Sequence, residues 1–228
     1  MDMNIKKPSL LMLALENRAF LELGAGLINT PFLKQKTIGG GRAVLVIPGF
    51  GAGDISTLLL RRYLNKQGFK AIGWGMGINQ GTSSKIKDDL YRKVKQLRQD
   101  TGQKVSVIGW SLGGIFAREL GRKLEEDIHS VLTMGTPFTG NPYGNHLFQL
   151  SLILSGKQFG KKEADAFDRR AEPPPVKTIA VHSRYDGIVS WQCSLEKESD
   201  HTRNIEVCSS HFGFPFNPAV FSIIAEAL

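Results

Sequence analysis

The chain of 228 residues is 41% hydrophobic and 22% charged, with 25 Gly and 10 Pro. That composition excludes a disordered, collagen-like or coiled-coil polymer and fits one large globular domain better than two small ones. Its 29 Lys and Arg against 21 Asp and Glu leave a formal charge of +8, which favours anionic partners without choosing between a membrane face, a nucleic acid and an acidic substrate.

Residues 8–27 read as an N-terminal helix packed on the body. The apolar run 9–15 is interrupted by Glu16 and Arg18 and followed by no small-residue cleavage site. Neither a secretory leader nor a membrane span is read there, and a cytoplasmic address is the expectation. Gly39-Gly40-Gly41 reads as a flexible join to the first strand. Strands are expected at 43–47, 70–74, 105–108, 130–134, 178–182 and 205–208, mostly apolar throughout because helices would cover both faces of a parallel sheet. Helices are expected at 55–66, 84–98 and 112–124, where apolar residues recur at steps of three and four, as in Ile86, Leu90, Val94 and Leu97. A terminal helix is expected at 217–228, with Pro218 in its first turn.

This alternation predicts an α/β domain over 1–228 with about six strands. One stretch departs from the rhythm, because 138–175 is far longer than a usual connection and reads as a cap insertion. Its stripe of Leu147, Leu150, Ile153 and Leu154 suits either core packing or the lining of a substrate pocket. A charged helix at 161–170 and three prolines at 173–175 complete the insertion.

Gly109-Trp110-Ser111-Leu112-Gly113 follows an expected strand and opens an expected helix. A serine on such a sharp turn stands clear of the sheet beside the free N–H groups of a helix start, and the flanking glycines relieve the crowding. A serine hydroxyl needs a base and a group that orients the base. Asp186, in Tyr185-Asp186-Gly187 after the fifth strand, is the expected acid, with Glu206 as a less favoured substitute inside a strand. His211, after the sixth strand, is the expected base among five histidines. The main-chain N–H groups of Phe50 and Leu112 are the expected oxyanion hole, because Gly49 and Gly51 let the loop after the first strand come close. That loop has neither a phosphate-binding Gly-Lys-Ser/Thr ending nor a dinucleotide glycine pattern. Asp54 is expected to cap the following helix. Trp110, Leu147, Leu150, Leu154 and Phe212 are the expected substrate contacts.

From Arg42 to Leu228 the order of these motifs resembles the α/β-hydrolase family of lipases and esterases. Val46-Ile47-Pro48-Gly49-Phe50-Gly51 is similar to the family's oxyanion loop, although Pro48 stands where many members have His. Met134-Gly135-Thr136-Pro137 and Ser210-His211-Phe212-Gly213 also resemble family segments. The resemblance implies a mainly parallel sheet lacking the family's initial strands, acyl-enzyme chemistry without metal or organic cofactor, and a small-molecule or lipid ester as substrate. An acyltransferase, thioesterase or amidase using the same three residues, and a non-catalytic binding module on the same fold, are the alternatives.

The basic residues are spread over helix faces and no nucleic-acid signature accompanies them. A weak attraction to an anionic membrane surface is the sharper expectation, motivated by the apolar residues 10–15 and the insertion stripe. Cys193 and Cys208, too few for a disulfide scaffold or a zinc site, are expected to be two buried thiols in a reducing compartment or a bridge in an oxidising one.

Overall fold

The computed structural model describes residues 4–34, 36–81, 83–146 and 169–228. Six strands, β1 (Ala43–Ile47), β2 (Lys70–Gly73), β3 (Val105–Trp110), β4 (Ile128–Met134), β5 (Lys177–His182) and β6 (Thr202–Glu206), form one sheet in the order β2-β1-β3-β4-β5-β6. Every pairing is parallel.

Burial on both faces explains the apolar runs. In β1, Val44 and Val46 point to one face and Ala43, Leu45 and Ile47 to the other, and all five are fully buried. The first face is covered by α3 (Leu58–Lys66) and α6 (Pro218–Ala227), through Leu60, Tyr63, Leu64, Phe221 and Ile224. The second is covered by α4 (Ser84–Thr101) and α5 (Leu112–Lys123), through Leu90, Val94, Leu97, Phe116 and Leu120. Ser83 caps α4 by accepting the Ile86 N–H, and Gly102 ends it in the left-handed region.

Of the two edge strands, β6 begins upstream of its expected place. β6 pairs only with β5 and is half exposed, so its residues do not form the apolar run that marks an inner strand. The Val207–Ser210 stretch instead carries the chain towards His211. Gly39-Gly40-Gly41 is a pinned turn rather than a loose join. The Gly39 and Gly41 amides donate to the carbonyls of Gln67 and Gly68 at 2.9 and 2.8 Å.

The N-terminal helix is broken in two. α1 (Leu10–Ala14) is followed by a 3₁₀ turn (Leu15–Arg18) and then α2 (Ala19–Asn29). This segment is a strap over the carboxyl end of the sheet. Ile5 and Pro8 offer carbonyls to Asn141 and His146, both at 2.9 Å, and Gly26 lies against the Phe216 carbonyl. Within the insertion, Leu147, Leu150, Ile153, Leu154 and most of the charged helix lie outside the described residues. No helix among the described residues is long and apolar enough to cross a membrane.

Candidate active site

The chain crosses from β1 to β2 on one side and then returns to place β3 on the other, so the crevice between the carboxyl ends of β1 and β3 is the topological switch point. The turn after β3 carries Ser111, and the loop after β1 carries Gly49 and Phe50. Ser111 has φ 53° and ψ −122°, a conformation that costs a non-glycine residue on the order of 1–3 kcal/mol. Its neighbours explain how the turn is tolerated. A Cβ at Gly109 would lie 2.3 Å from the Gly113 carbonyl oxygen, and one at Gly113 would lie 2.3 Å from that of Ile47.

The three residues expected to carry the chemistry meet in one row, from loops separated by 75 and 25 positions of sequence. Ser111 Oγ is 3.0 Å from His211 Nε2, and His211 Nδ1 is 2.7 Å from Asp186 Oδ2. With the carboxylate ionised, Nδ1 carries a proton and donates it to Asp186, leaving Nε2 to accept the serine hydroxyl. The other carboxylate oxygen of Asp186 accepts the Ile188 and Val189 amides at 2.9 and 2.7 Å, which fixes its orientation. Burial alone disfavours the imidazolium of His211. The charge and hydrogen bond of Asp186, with Glu16 behind it, outweigh that effect and hold the imidazole above its ordinary value of 6.5.

The Phe50 and Leu112 amides hydrogen-bond to no group among the described residues. Gly49 brings its loop against the elbow, since a Cβ there would sit 3.3 Å from that of Ser111. Asn79, not singled out by the sequence, holds this loop from beneath. It is fully buried, donates through Nδ2 to the Pro48 carbonyl at 2.8 Å, accepts the Gly51 amide at 2.8 Å and donates its own amide to Ala52 at 2.9 Å.

Other expectations need correction. Trp110, an expected substrate contact, packs into the core beside the elbow. It is buried, and its indole N–H donates to the His211 carbonyl at 3.0 Å, bracing His211 from the core side. Phe212 is 42% exposed with its ring edge-on to His211 at 5.8 Å, and Phe50 is 38% exposed. Asp54 does not cap the helix after it; Gly53 holds that position. The Asp54 carboxylate reaches back to accept the Trp74 and Gly75 amides at 2.9 and 3.0 Å, because those donors leave the end of β2 without a strand partner. Glu206 pairs with Arg184 at the surface. Cys193 is buried and Cys208 exposed, and no disulfide joins them.

Sequence reasoning missed the strap's carboxylates. Glu16, 5% exposed, accepts the Gly187 and His211 amides through Oε1 at 2.7 and 2.9 Å and the Phe212 amide through Oε2 at 3.0 Å. Glu22 accepts the Ser210 amide at 2.9 Å and the Ser210 hydroxyl at 2.5 Å. Arg18 donates to the Tyr185 carbonyl. The only mark these residues left in the sequence was polar interruption of an apolar run.

No protein-family model matches the chain, and no curated protein matches it by sequence. Solved structures do match. A monoacylglycerol lipase of Paleococcus ferrophilus is 15% identical, with 82% of this chain and 95% of that one aligned at a TM-score of 0.57. The lipase BlEst2 of Bacillus licheniformis is 14% identical over 82% and 91% of the two chains at 0.61. A soluble variant of the monoglyceride lipase of Saccharomyces cerevisiae is 15% identical over 85% and 86% at 0.62. At these identities the likeness is one of fold, and the chain has the α/β-hydrolase fold of lipases and esterases.

Proposed function

We propose that this chain is a serine hydrolase of carboxylic esters. The observation that carries the reading is the hydrogen-bonded row from Ser111 through His211 to Asp186, buried at the carboxyl end of the sheet. Ser111 Oγ attacks the ester carbonyl carbon as Nε2 takes its proton, giving a tetrahedral oxyanion whose charge the free Phe50 and Leu112 amides receive. Such donors are worth about 2.7–4 kcal/mol each in the transition state. The imidazolium returns the proton to the departing alcohol, and Asp186 stabilises it meanwhile without becoming protonated. Water, deprotonated by the same nitrogen, then releases the acid from the acyl-Ser111 ester.

The exposed rings of Phe50 and Phe212 beside this centre suit an apolar acyl group. Trp110, Leu147, Leu150 and Leu154 remain sequence-based proposals for further substrate contacts. An alcohol in place of water would make the same acyl-enzyme an acyltransferase, and the same attack on a thioester a thioesterase.

Labelling with a fluorophosphonate followed by peptide mapping tests the reading. The adduct is expected on Ser111, with turnover of p-nitrophenyl esters of graded chain length lost in parallel. An adduct elsewhere overturns the assignment. Addition of alcohol acceptors during turnover separates hydrolysis, in which free acid dominates, from acyl transfer, in which the new ester does.

A further inference from the structure

We propose that the N-terminal strap is a docking surface for an anionic lipid bilayer, setting the carboxyl end of the sheet against the membrane. The polarity of the strap is inverted. Its charged side chains Glu16, Glu22 and Arg18 turn inward to bond the loops that carry Asp186 and His211. Outward stand Leu10, Leu11, Phe20, Leu21, Leu27 and Ile28, each 57–76% exposed. On α2 the last four fall at offsets of zero, one, seven and eight, which is a single helical stripe. Gly24 lies between them, and a Cβ there would meet nothing within 4 Å.

The apolar surface extends beyond the strap at the same end of the molecule. Phe50 and Ile55 follow β1, Ile78 follows β2, Tyr185 follows β5 and Phe212 follows β6, all exposed. Among the described residues, Phe32 and Ile38 are the exposed large apolar side chains on neither the strap helices nor a segment leaving the carboxyl end of a strand. Monomeric proteins rarely concentrate apolar exposure in this way without a partner.

Charge selects the partner. The exposed lysines Lys6 and Lys7 stand beside α1, whereas Lys34 and Lys36 are bonded to Gln67 at the other end of the sheet, where Lys36 pairs with Glu226. The two acidic residues between 4 and 34, Glu16 and Glu22, are engaged by the active-site loops. An apolar stripe flanked by Lys6 and Lys7, with no unengaged carboxylate among residues 4–34, matches acyl chains below anionic headgroups, with the helices lying in the interface plane. A second copy of the same surface would oppose lysine to lysine. The docking stands on the strap's own surface, and it rests on the ester-hydrolase reading only for its consequence, which is that a lipid ester meets Ser111 from the bilayer.

The test uses the full chain and sedimentation with vesicles of ether-linked phosphatidylglycerol or phosphatidylcholine, which offer no carboxylic ester. At least tenfold stronger partitioning to the anionic vesicles is expected. It should weaken as salt rises and fall tenfold or more in Phe20→Ser/Leu21→Ser, whose unfolding temperature is measured alongside. Lys6→Glu/Lys7→Glu, at exposed positions outside the helices, should weaken anionic partitioning without that control being needed. Absence of partitioning, equal partitioning to both vesicles, or indifference to both double variants overturns the proposal. A mass doubling in light scattering that Phe20→Ser/Leu21→Ser abolishes would assign the face to a second copy instead and also overturn it. Turnover of p-nitrophenyl acetate by the same preparation reports the hydrolase reading separately, so that vesicle binding with no ester turnover would sink only that reading.

Discussion

The Glu16 carboxylate accepts the backbone N–H of His211 at 2.9 Å across 195 positions of sequence. With the Gly187 and Phe212 amides on the same carboxylate, it ties the loop carrying Asp186 to the loop carrying His211. The two loops are thereby held together by a residue that bonds only their main-chain amides. The 3₁₀ turn at Leu15–Arg18 is the local distortion that accompanies this placement, and it divides what would otherwise read as one continuous helix.

Glu16→Ala should therefore destabilise the fold by ~3 kcal/mol or more, because three amides lose a charged acceptor and each unpaired buried donor costs about 1–3 kcal/mol. Glu16→Gln keeps one oxygen but turns an NH₂ towards a backbone donor, so an intermediate loss of about 1–2 kcal/mol is expected. Denaturant unfolding measures both. With a soluble ester, kcat should fall more than KM rises, since the lost contacts order the base rather than the substrate. Unchanged stability and kcat in Glu16→Ala would show that the two loops hold themselves.

At Ser111, removal of the hydroxyl and relief of backbone strain should separate. Ser111→Ala and Ser111→Gly should both lower ester turnover by roughly 10⁶, the precedent for loss of a serine nucleophile. Glycine adopts the positive φ of 53° freely, so Ser111→Gly should be more stable than Ser111→Ala by about 1 kcal/mol or more, partly offset by the entropy of its unfolded chain. Thermal unfolding of the two variants makes the comparison, and equal stability would mean that the elbow carries no strain at this position.

The sheet was legible where burial made it so. The apolar runs of β1 and β3–β5 are inner strands covered on both faces, and their places differ from expectation by at most a few terminal residues. β6 begins three residues earlier than expected because Thr202-Arg203-Asn204 are polar and partly exposed, whereas the other edge strand, β2, carries apolar Ala71 and Ile72 and lies where expected. Ser111, Asp186 and His211 stood out because turn chemistry and strand context mark them locally. Glu16, Glu22 and Asn79 did not, since their partners are backbone amides and carbonyls distant in the chain, and no residue pattern encodes a main-chain partner. Asp54 misled for a related reason, as its residue type suits a helix cap while its carboxylate reaches two amides 20 and 21 positions away.

The acid limb of kcat/KM should have its midpoint above 6.5, because His211 must be neutral to accept the Ser111 proton and Asp186 raises the pH at which it becomes so. Activity is thus lost as pH falls through that raised value. In the folded state the same shift favours the protonated form. Its contribution to stability is complete below the ordinary imidazole value and fades as pH rises through the folded one. Asp186→Asn should move the acid limb down and lower kcat by about 10⁴, the precedent for losing the orienting carboxylate. A pH–rate profile of the variant with the same midpoint as the parent would detach Asp186 from the titration of the base.

A second long-range tie holds the base of the insertion. Arg118 on α5 forms an ion pair with Glu196, and the two side chains are 1% and 0% exposed. The same guanidinium donates to the Arg170 and Glu172 carbonyls at 2.9 Å and lies 3.7 Å from the centre of the Phe138 ring. It therefore joins both ends of the insertion to the helix that follows Ser111. Arg118→Met leaves the Glu196 charge buried without its partner and should cost about 3–5 kcal/mol, whereas Arg118→Met/Glu196→Met removes both charges and should recover much of that loss. The double variant will still lack donors for the Arg170 and Glu172 carbonyls, so recovery should be incomplete. A denaturant-unfolding cycle of the two single variants and the double variant measures the coupling, and additive losses would mean that the ion pair contributes nothing beyond its separate side chains.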